Sequence, residues 1–247
     1  MTDIIAAVRS VLTYIVVSIY VLIAGPIALA IGVGFKNKTA LYVPGQIGVG
    51  LALGLAGIRY KVRGRELIPT NRAVVFCSNH ESNVDPPVLF LTLHRRLHVL
   101  FKAELKKLPL LGPVMVAGGF VPVERDRREA SMASIERASS SIRDGNSFLI
   151  FPEGTRSKTA ELLPFKKGGF IMAIKAQAPI VPVAVSGGRS AMQKGSWFVR
   201  PVMVDVHIGE PIETSGFSLD DRDALIEIVR ERIEELRRGM KPDAPTA

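Results

Sequence analysis

Cysteine is almost missing from this chain, which has only Cys77 among 247 residues. One cysteine excludes an internal disulfide and any metal site built from several thiolates. Cys77 ends the apolar run Ala73-Val74-Val75-Phe76-Cys77. We therefore expect a buried strand thiol rather than a nucleophile. A reducing, cytosol-facing domain is compatible with this composition.

Charge is nearly absent from the first 58 residues, whose only charged side chains are Asp3, Arg9, Lys36 and Lys38. The remainder reads like an ordinary soluble domain. Because the two parts suit different physical environments, we divide the chain into a membrane-embedded helical hairpin, 1–58, and a soluble domain, 59–247.

Two long uncharged stretches, 11–35 and 40–58, make up the N-terminal part. As a helix the first would measure about 37 Å, which exceeds the roughly 30 Å of bilayer hydrocarbon. Pro26 is expected to kink or divide this arm. In the second arm, Gly50 and Gly54 have the small-residue spacing of closely packed membrane helices. The pattern predicts a hairpin whose two ends emerge on the same side.

Two alternatives for the N-terminal part stay open, a buried core hairpin and a cleavable signal peptide with Ala28-Leu29-Ala30 at its cleavage site. The sequence also leaves undecided whether the hairpin crosses the bilayer or enters one leaflet. Basic residues lie both at its tip and after its end, which blunts the positive-inside argument.

The formal net charge of the chain is +9, and most of it lies after residue 58. A basic domain prefers anionic partners, such as nucleic acid, lipid headgroups or phosphorylated small molecules. No zinc-finger spacing, RNP-like aromatic pattern or basic-helix run is present, so we expect no nucleic-acid partner. The N-terminal hairpin indicates the lipid bilayer as partner.

Strand-like and helix-like segments alternate after residue 58, which predicts an α/β domain. The strand candidates are 73–78, 97–101, 120–123, 147–151, 180–185 and 199–208. The helix candidates are 86–94, 126–143, 167–177 and 219–238.

The first strand candidate ends in a polar turn that contains His80 and Asp85. A helix opening with Pro86 at its first position would make Asp85 the helix N-cap. From there the carboxylate can hold one nitrogen of His80, which leaves the other nitrogen to remove a proton from a hydroxyl. The sequence therefore predicts a general base at this turn.

Two other roles for this pair are weighed against catalysis. Asp85 could serve as a cap alone, and His80 with Asp85 could bind a metal. No further histidine or cysteine accompanies them at ligand spacing, so we expect no metal. The remaining histidines are assigned structural or surface roles: His94, His98 and His207.

Four blocks in fixed order resemble those of the glycerolipid acyltransferase family, typified by 1-acylglycerol-3-phosphate acyltransferases. His80 to Asp85 resembles the family's HxxxxD motif. The others are similar to its glycine-to-arginine, FPEGTRS and proline blocks: Gly119 to Arg125, Phe151 to Ser157, and Ile180 to Val183. The linking stretch Leu163 to Gly168 also matches, so that the resemblance covers roughly residues 73 to 190.

The resemblance implies a mixed sheet flanked by helices and an enzyme of phospholipid biosynthesis on the cytoplasmic face of a membrane. Such an enzyme moves a fatty acyl group from acyl-CoA or acyl carrier protein to the free hydroxyl of lysophosphatidic acid, giving phosphatidic acid. The thioester is a co-substrate, and no cofactor is expected. The alternatives are another lysolipid or glycerol 3-phosphate as acceptor, or a lipid-binding module that has kept the scaffold without catalysis.

In the family the histidine acts as base and the aspartate orients it, which implies these roles for His80 and Asp85. The acceptor hydroxyl would attack the thioester directly, without an acyl-enzyme. Ser82 lies between the two residues. We expect it to satisfy backbone groups of the turn rather than to act as a nucleophile.

Substrate-binding candidates come from the other blocks. Arg125 and Arg156 are expected to grip the acceptor phosphate, because a guanidinium offers paired donors, with a solvated strand-end charge as the alternative. Glu153 is expected to hold the glycerol backbone or shape the pocket, with turn stabilisation as the alternative. The rest of the predicted binding set is Gly154, Thr155, Lys102 and Lys166, of which the lysines add positive potential.

Overall fold

The computed structural model describes residues 2–35, 39–93, 97–124, 128–157, 159, 161–192 and 195–240. The helices within these ranges are α1 (Thr2–Gly34), α2 (Thr39–Ala56), α3 (Asp85–Thr92), α4 (Leu111–Ala117), α5 (Arg128–Arg143), α6 (Gly168–Ala176), α7 (Gly188–Ala191) and α8 (Arg222–Arg238). The strands are β1 (Arg59–Arg63), β2 (Val75–Ser78), β3 (Leu97–Lys102), β4 (Val121–Val123), β5 (Ser147–Ile150), β6 (Ile180–Ser186) and β7 (Met203–Ile208).

Helices α1 and α2 form the predicted pair, and both are long and apolar enough to cross a membrane. Most apolar side chains of α1 are exposed, and most of those of α2 are half-buried or exposed rather than buried, which disfavours the buried-hairpin alternative. Pro26 does not divide the first arm, because α1 continues through it. The helix also begins nine residues before the predicted arm, since Arg9 is a good helix former and does not end it.

Two glycines let the helices approach, but they are not the predicted pair. A Cβ on Gly48 would lie 2.7 Å from the Tyr20 ring, and one on Gly32 would lie 2.5 Å from Leu41. Gly50 and Gly54 have open space beside them. Spacing alone therefore selected the wrong glycines, because helix rotation decides which ones face the partner.

Seven strands form one mixed sheet in the order β1-β7-β6-β2-β5-β3-β4. All neighbouring pairs are parallel except β6 and β7, which are antiparallel. The predicted mixed α/β fold is confirmed. Helices cover both faces: the end of α2, α3 and the α7 segment pack on one, while α5, α6 and α8 pack on the other.

Three elements were not predicted, and the largest boundary error among the strands and helices after residue 58 is at β7. The residues of β1 were interpreted only as basic residues that follow the hairpin, but they form an edge strand, where alternating charges suit the exposed side. Helices α4 and α7 are too short to show a helical period. Strand β7 begins at Met203 rather than at 199, because Pro201 cannot donate to a ladder.

Strands β2, β5 and β6 are neighbours and run parallel, so their carboxyl ends meet at one edge of the sheet. Ligands of open α/β sheets bind at this edge. Asn79, directly after β2, connects the ends of β2 and β6 at this edge. Its amide donates to the carbonyl of Val185 at 2.9 Å, and its oxygen accepts the Val185 amide at 2.8 Å.

Replacing Asn79 by alanine should destabilise the protein, because it leaves the buried Val185 N–H and C=O unpaired. We expect a loss of about 2–4 kcal/mol in the free energy of unfolding, since each unsatisfied buried group costs roughly 1–3 kcal/mol. Chemical unfolding of the purified protein checks this, with the exposed Asn71→Ala as the control. Equal stability of both variants would contradict the bridging role.

Candidate active site

His80 and Asp85 meet at the carboxyl end of β2. Nδ1 of His80 lies 2.9 Å from Oδ2 of Asp85. The aspartate is fully buried, whereas the imidazole keeps 16% of its side-chain surface exposed. The ring stacks on Phe151 with centroids 4.2 Å apart. Nδ1 is therefore engaged by the carboxylate, and the ring stays accessible from one side.

Asp85 achieves this contact in a different way from the predicted one. It is the first residue of α3 rather than its N-cap, which is Val84, and its side chain bonds no N–H group of the helix. Oδ2 instead accepts the backbone N–H of Glu81 at 2.6 Å and of Ser82 at 2.7 Å. The N-cap interpretation was wrong because the carboxylate turns back to the preceding turn, whose amides it holds.

Glu153 ties the turn after β5 to the histidine. Its Oε1 accepts the backbone N–H of His80 at 2.8 Å, and its Oε2 accepts that of Leu163 at 2.9 Å. Burial raises the pKa of the Glu153 carboxyl, and these two N–H groups oppose the shift in part. The contacts are those of the turn-stabilising alternative, so the carboxylate shapes the site through backbone amides.

The two candidate nucleophiles near His80 are engaged or buried. Ser82 Oγ donates to the carbonyl of Met192 at 2.9 Å, as expected of a serine that satisfies backbone groups. Cys77 is fully buried in β2, and burial raises the pKa of its thiol. The Ser82 hydroxyl is therefore bonded elsewhere and the Cys77 thiol is buried, so neither serves as a nucleophile activated by His80.

Three of the other predicted binding residues lie in the turn that follows β5: Gly154, Thr155 and Arg156. Ser157 donates its N–H to the carbonyl of His80 at 2.8 Å, so the backbone of the neighbouring, half-buried Arg156 lies close to the backbone of His80. Thr155 is exposed in the same turn. Gly154 has φ +69°, and the Lys166 side chain covers the position where a Cβ would stand.

Of the two remaining predicted binding residues, one lies far from His80 in the sheet and the other is outside the described residues. Lys102 ends β3, two strands from β2, and its Nζ lies 3.1 Å from Glu104. Arg125 falls outside the described residues. Of the residues assigned structural roles, His98 is buried with its ring edge against Phe148, and His94 lies outside the described ranges.

Residues 59–186 match the family model described as Acyltransferase. The chain is 32% identical over 200 residues to a 1-acyl-sn-glycerol-3-phosphate acyltransferase of Limnanthes douglasii, covering 80% of this chain and 70% of the relative. It is 36% identical over 172 residues to the human 1-acyl-sn-glycerol-3-phosphate acyltransferase beta, covering 69% of this chain and 62% of the relative.

A solved structure matches over nearly the whole length. The crystal structure of the 1-acyl-sn-glycerophosphate (LPA) acyltransferase PlsC from Thermotoga maritima has a TM-score of 0.82 and 26% identity, covering 96% of this chain and 98% of that one. The chain belongs to the acyltransferase family. Because 96% of this chain is covered, the match includes its N-terminal helices as well as its sheet.

A buried ion cluster beside the dyad escaped sequence reasoning. The buried carboxylate of Glu81 lies 3.5 Å from the Arg189 guanidinium and 3.6 Å from that of Arg237. Glu81 therefore links the turn that carries His80 to α7 and to the last turn of α8. No local pattern signals these contacts, because the partners come from three distant segments.

Gly188 was also missed, although it supports the dyad directly. A Cβ at this position would overlap Oδ1 of Asp85 and lie 3.1 Å from the Ser82 side chain. Oδ1 is buried and accepts no hydrogen bond among the described residues. The missing side chain of Gly188 thus leaves the space in which the Asp85 carboxylate sits. The Gly187-Gly188 pair after β6 was the only sequence signal.

Gly188→Ala should lower kcat because the added methyl displaces Asp85 and, through it, His80. A misplacement near 1 Å costs on the order of 100-fold in rate, so we expect a loss of about 10- to 100-fold. Steady-state kinetics of the folded variant checks this. Gly216→Ala is the matched control, since a Cβ there meets nothing within 4 Å. Unchanged kcat in Gly188→Ala would refute the packing argument.

Proposed function

We propose that this acyltransferase moves a fatty acyl group from acyl-CoA or acyl carrier protein to the free hydroxyl of lysophosphatidic acid, giving phosphatidic acid. The observation that carries the proposal is the His80–Asp85 contact at an accessible sheet edge. The choice of acceptor is supported by the names of the three proteins compared above, which are acyltransferases of 1-acyl-sn-glycerol-3-phosphate or 1-acyl-sn-glycerophosphate.

In the proposed reaction, Asp85 accepts a hydrogen bond from Nδ1–H of His80 and so fixes the tautomer in which Nε2 is the base. Nε2 removes the proton of the acceptor hydroxyl as its oxygen attacks the thioester carbonyl. The tetrahedral intermediate collapses, the C–S bond breaks, and the thiolate takes the proton from the imidazolium. The products are an ester and a free thiol, and neither a cofactor nor an acyl-enzyme is required.

The proposed acceptor phosphate binds to Arg156, whose backbone is held close to that of His80 through Ser157. A guanidinium provides paired donors that match phosphate oxygens. Lys166 lies over Gly154 in the same turn and adds positive charge. Lys102 at the end of β3 is proposed as a further cationic group, and so is Arg125, which lies outside the described residues.

The proposed location is a membrane with the catalytic domain on its cytoplasmic face. Support comes from α1 and α2, which are both long and apolar enough to cross a membrane, and from the exposed apolar side chains of α1. A single buried cysteine suits a reducing compartment. A lipid acceptor would then reach the site from the bilayer to which the domain is attached.

His80→Ala should abolish thiol release from acyl-CoA in the presence of lysophosphatidic acid. Loss of a general base costs roughly 10²–10⁴-fold in rate. Ser82→Ala is the informative comparison: it removes a buried hydrogen bond and some stability, yet the folded variant should retain turnover. Release is followed with a thiol reagent. An active His80→Ala enzyme would end the general-base assignment, and a dead but folded Ser82→Ala would favour a covalent serine.

Arg156→Ala should discriminate between acceptors. A charge-assisted hydrogen bond contributes about 1.5–3 kcal/mol, so kcat/KM for lysophosphatidic acid should fall about 10- to 100-fold, with little change for a monoacylglycerol. Arg232→Ala, an exposed arginine on α8, is the control. An equal loss on both acceptors would contradict phosphate binding by Arg156, and a preference of the wild type for another lysolipid would change the acceptor.

A further inference from the structure

The loop before β7 presents two aromatic side chains to the outside. Trp197 is 79% exposed and Phe198 is 46% exposed, and Trp197 is the only tryptophan of the chain. Large exposed aromatic groups in adjacent positions mark interaction surfaces on a folded domain. We call residues 195–199 the aromatic loop.

The aromatic loop is fixed against helix α1. Tyr14 donates its hydroxyl to the carbonyl of Trp197 at 2.6 Å, and Val199 donates its N–H to Ser10 Oγ at 2.8 Å. Val199 is buried in the core, and its neighbour Arg200 donates its N–H to the carbonyl of Ala191. These anchors hold the backbone between the two rings and directly after them, so the fold fixes the position from which both side chains project.

The part of α1 that holds the loop is itself lined with exposed apolar side chains. Val11, Leu12 and Ile15 are each more than half exposed. The aromatic loop therefore extends the outward apolar surface of the hairpin onto the soluble domain. The two surfaces are continuous through the Tyr14 and Ser10 contacts.

The height of the loop corresponds to the end of the uncharged part of the hairpin. Arg9 and Pro201 both lie beside the turn at Gly57, so the last charged residue of α1 before its uncharged stretch is level with the start of the charged strand β1. Tyr14 lies five residues further along α1, about 7 Å toward the hairpin tip. From Tyr14 to Gly34 the helix rises about 30 Å, which equals the hydrocarbon thickness.

We propose that the aromatic loop is a second membrane contact, in which Trp197 and Phe198 insert into the interfacial region of the bilayer. Tryptophan and tyrosine concentrate at this level, because their rings are apolar and their N–H or O–H groups reach water and headgroups. The inference rests on the membrane attachment in the proposed function, and it adds a docking surface on the soluble domain.

The single tryptophan makes a direct test possible. The full-length protein is reconstituted in vesicles of phosphatidylcholine and phosphatidylglycerol, and Trp197 emission is recorded. We expect a shift to shorter wavelength relative to the urea-unfolded protein, strong quenching by brominated phospholipids, and protection from aqueous acrylamide.

Two relocated-tryptophan variants bracket the result. Trp197→Phe with Phe35→Trp places the probe at the end of α1 and should be quenched by brominated lipid. Trp197→Phe with Ile228→Trp places it on the exposed surface of α8, on the other face of the sheet, and should be quenched by acrylamide only.

The outcomes separate the two claims. If Trp197 behaves like the Ile228→Trp probe while the Phe35→Trp probe responds to lipid, the aromatic-loop contact is overturned and the membrane attachment stands. If neither Trp197 nor the Phe35→Trp probe responds to lipid, the membrane attachment fails, and the inference fails with it. Lipid quenching of Trp197 supports the inference.

Discussion

The buried carboxylate of Asp85 is the constraint on which the site depends. A buried charge is tolerated only where hydrogen bonds compensate for its lost hydration. Here Oδ2 receives the N–H groups of Glu81 and Ser82 in addition to the imidazole of His80. The two backbone donors fix the oxygen without help from the histidine, so the imidazole finds its acceptor already in place.

The surrounding fold holds this turn from three sides. Glu153 binds the His80 amide across 73 residues of sequence, Asn79 binds Val185 across 106, and Ser82 binds Met192 across 110. Each contact uses a different strand end or the loop beside it. The geometry of the dyad therefore forms only when β2, β5 and β6 are assembled, which makes the site a property of the complete sheet.

The sequence predicted those parts that depend on local patterns. The strands β2, β5 and β6 were recognisable as short apolar runs, and the turn before Pro86 indicated that His80 and Asp85 could meet. The capping role of Asp85 was wrong, because the sequence does not show which amides a carboxylate faces. Glu81 with its arginine partners and Gly188 gave no local signal, since their contacts join distant segments.

Two described segments, 187–192 and 195–202, connect the proposed membrane contact to the chemistry. The first contacts Asp85 through Gly188 and Ser82 through Met192, the second contacts α1 through Trp197 and Val199, and the Arg200 N–H donates to the carbonyl of Ala191 between them. A lysolipid must present its hydroxyl to His80 while its acyl chain stays in an apolar environment. Because these segments are joined by the Arg200–Ala191 hydrogen bond, the contacts to α1 and the contacts to Asp85 belong to one connected part of the fold. With the domain at the proposed membrane surface, this connection holds a lipid substrate at the height of the base, which is the positioning that direct transfer requires.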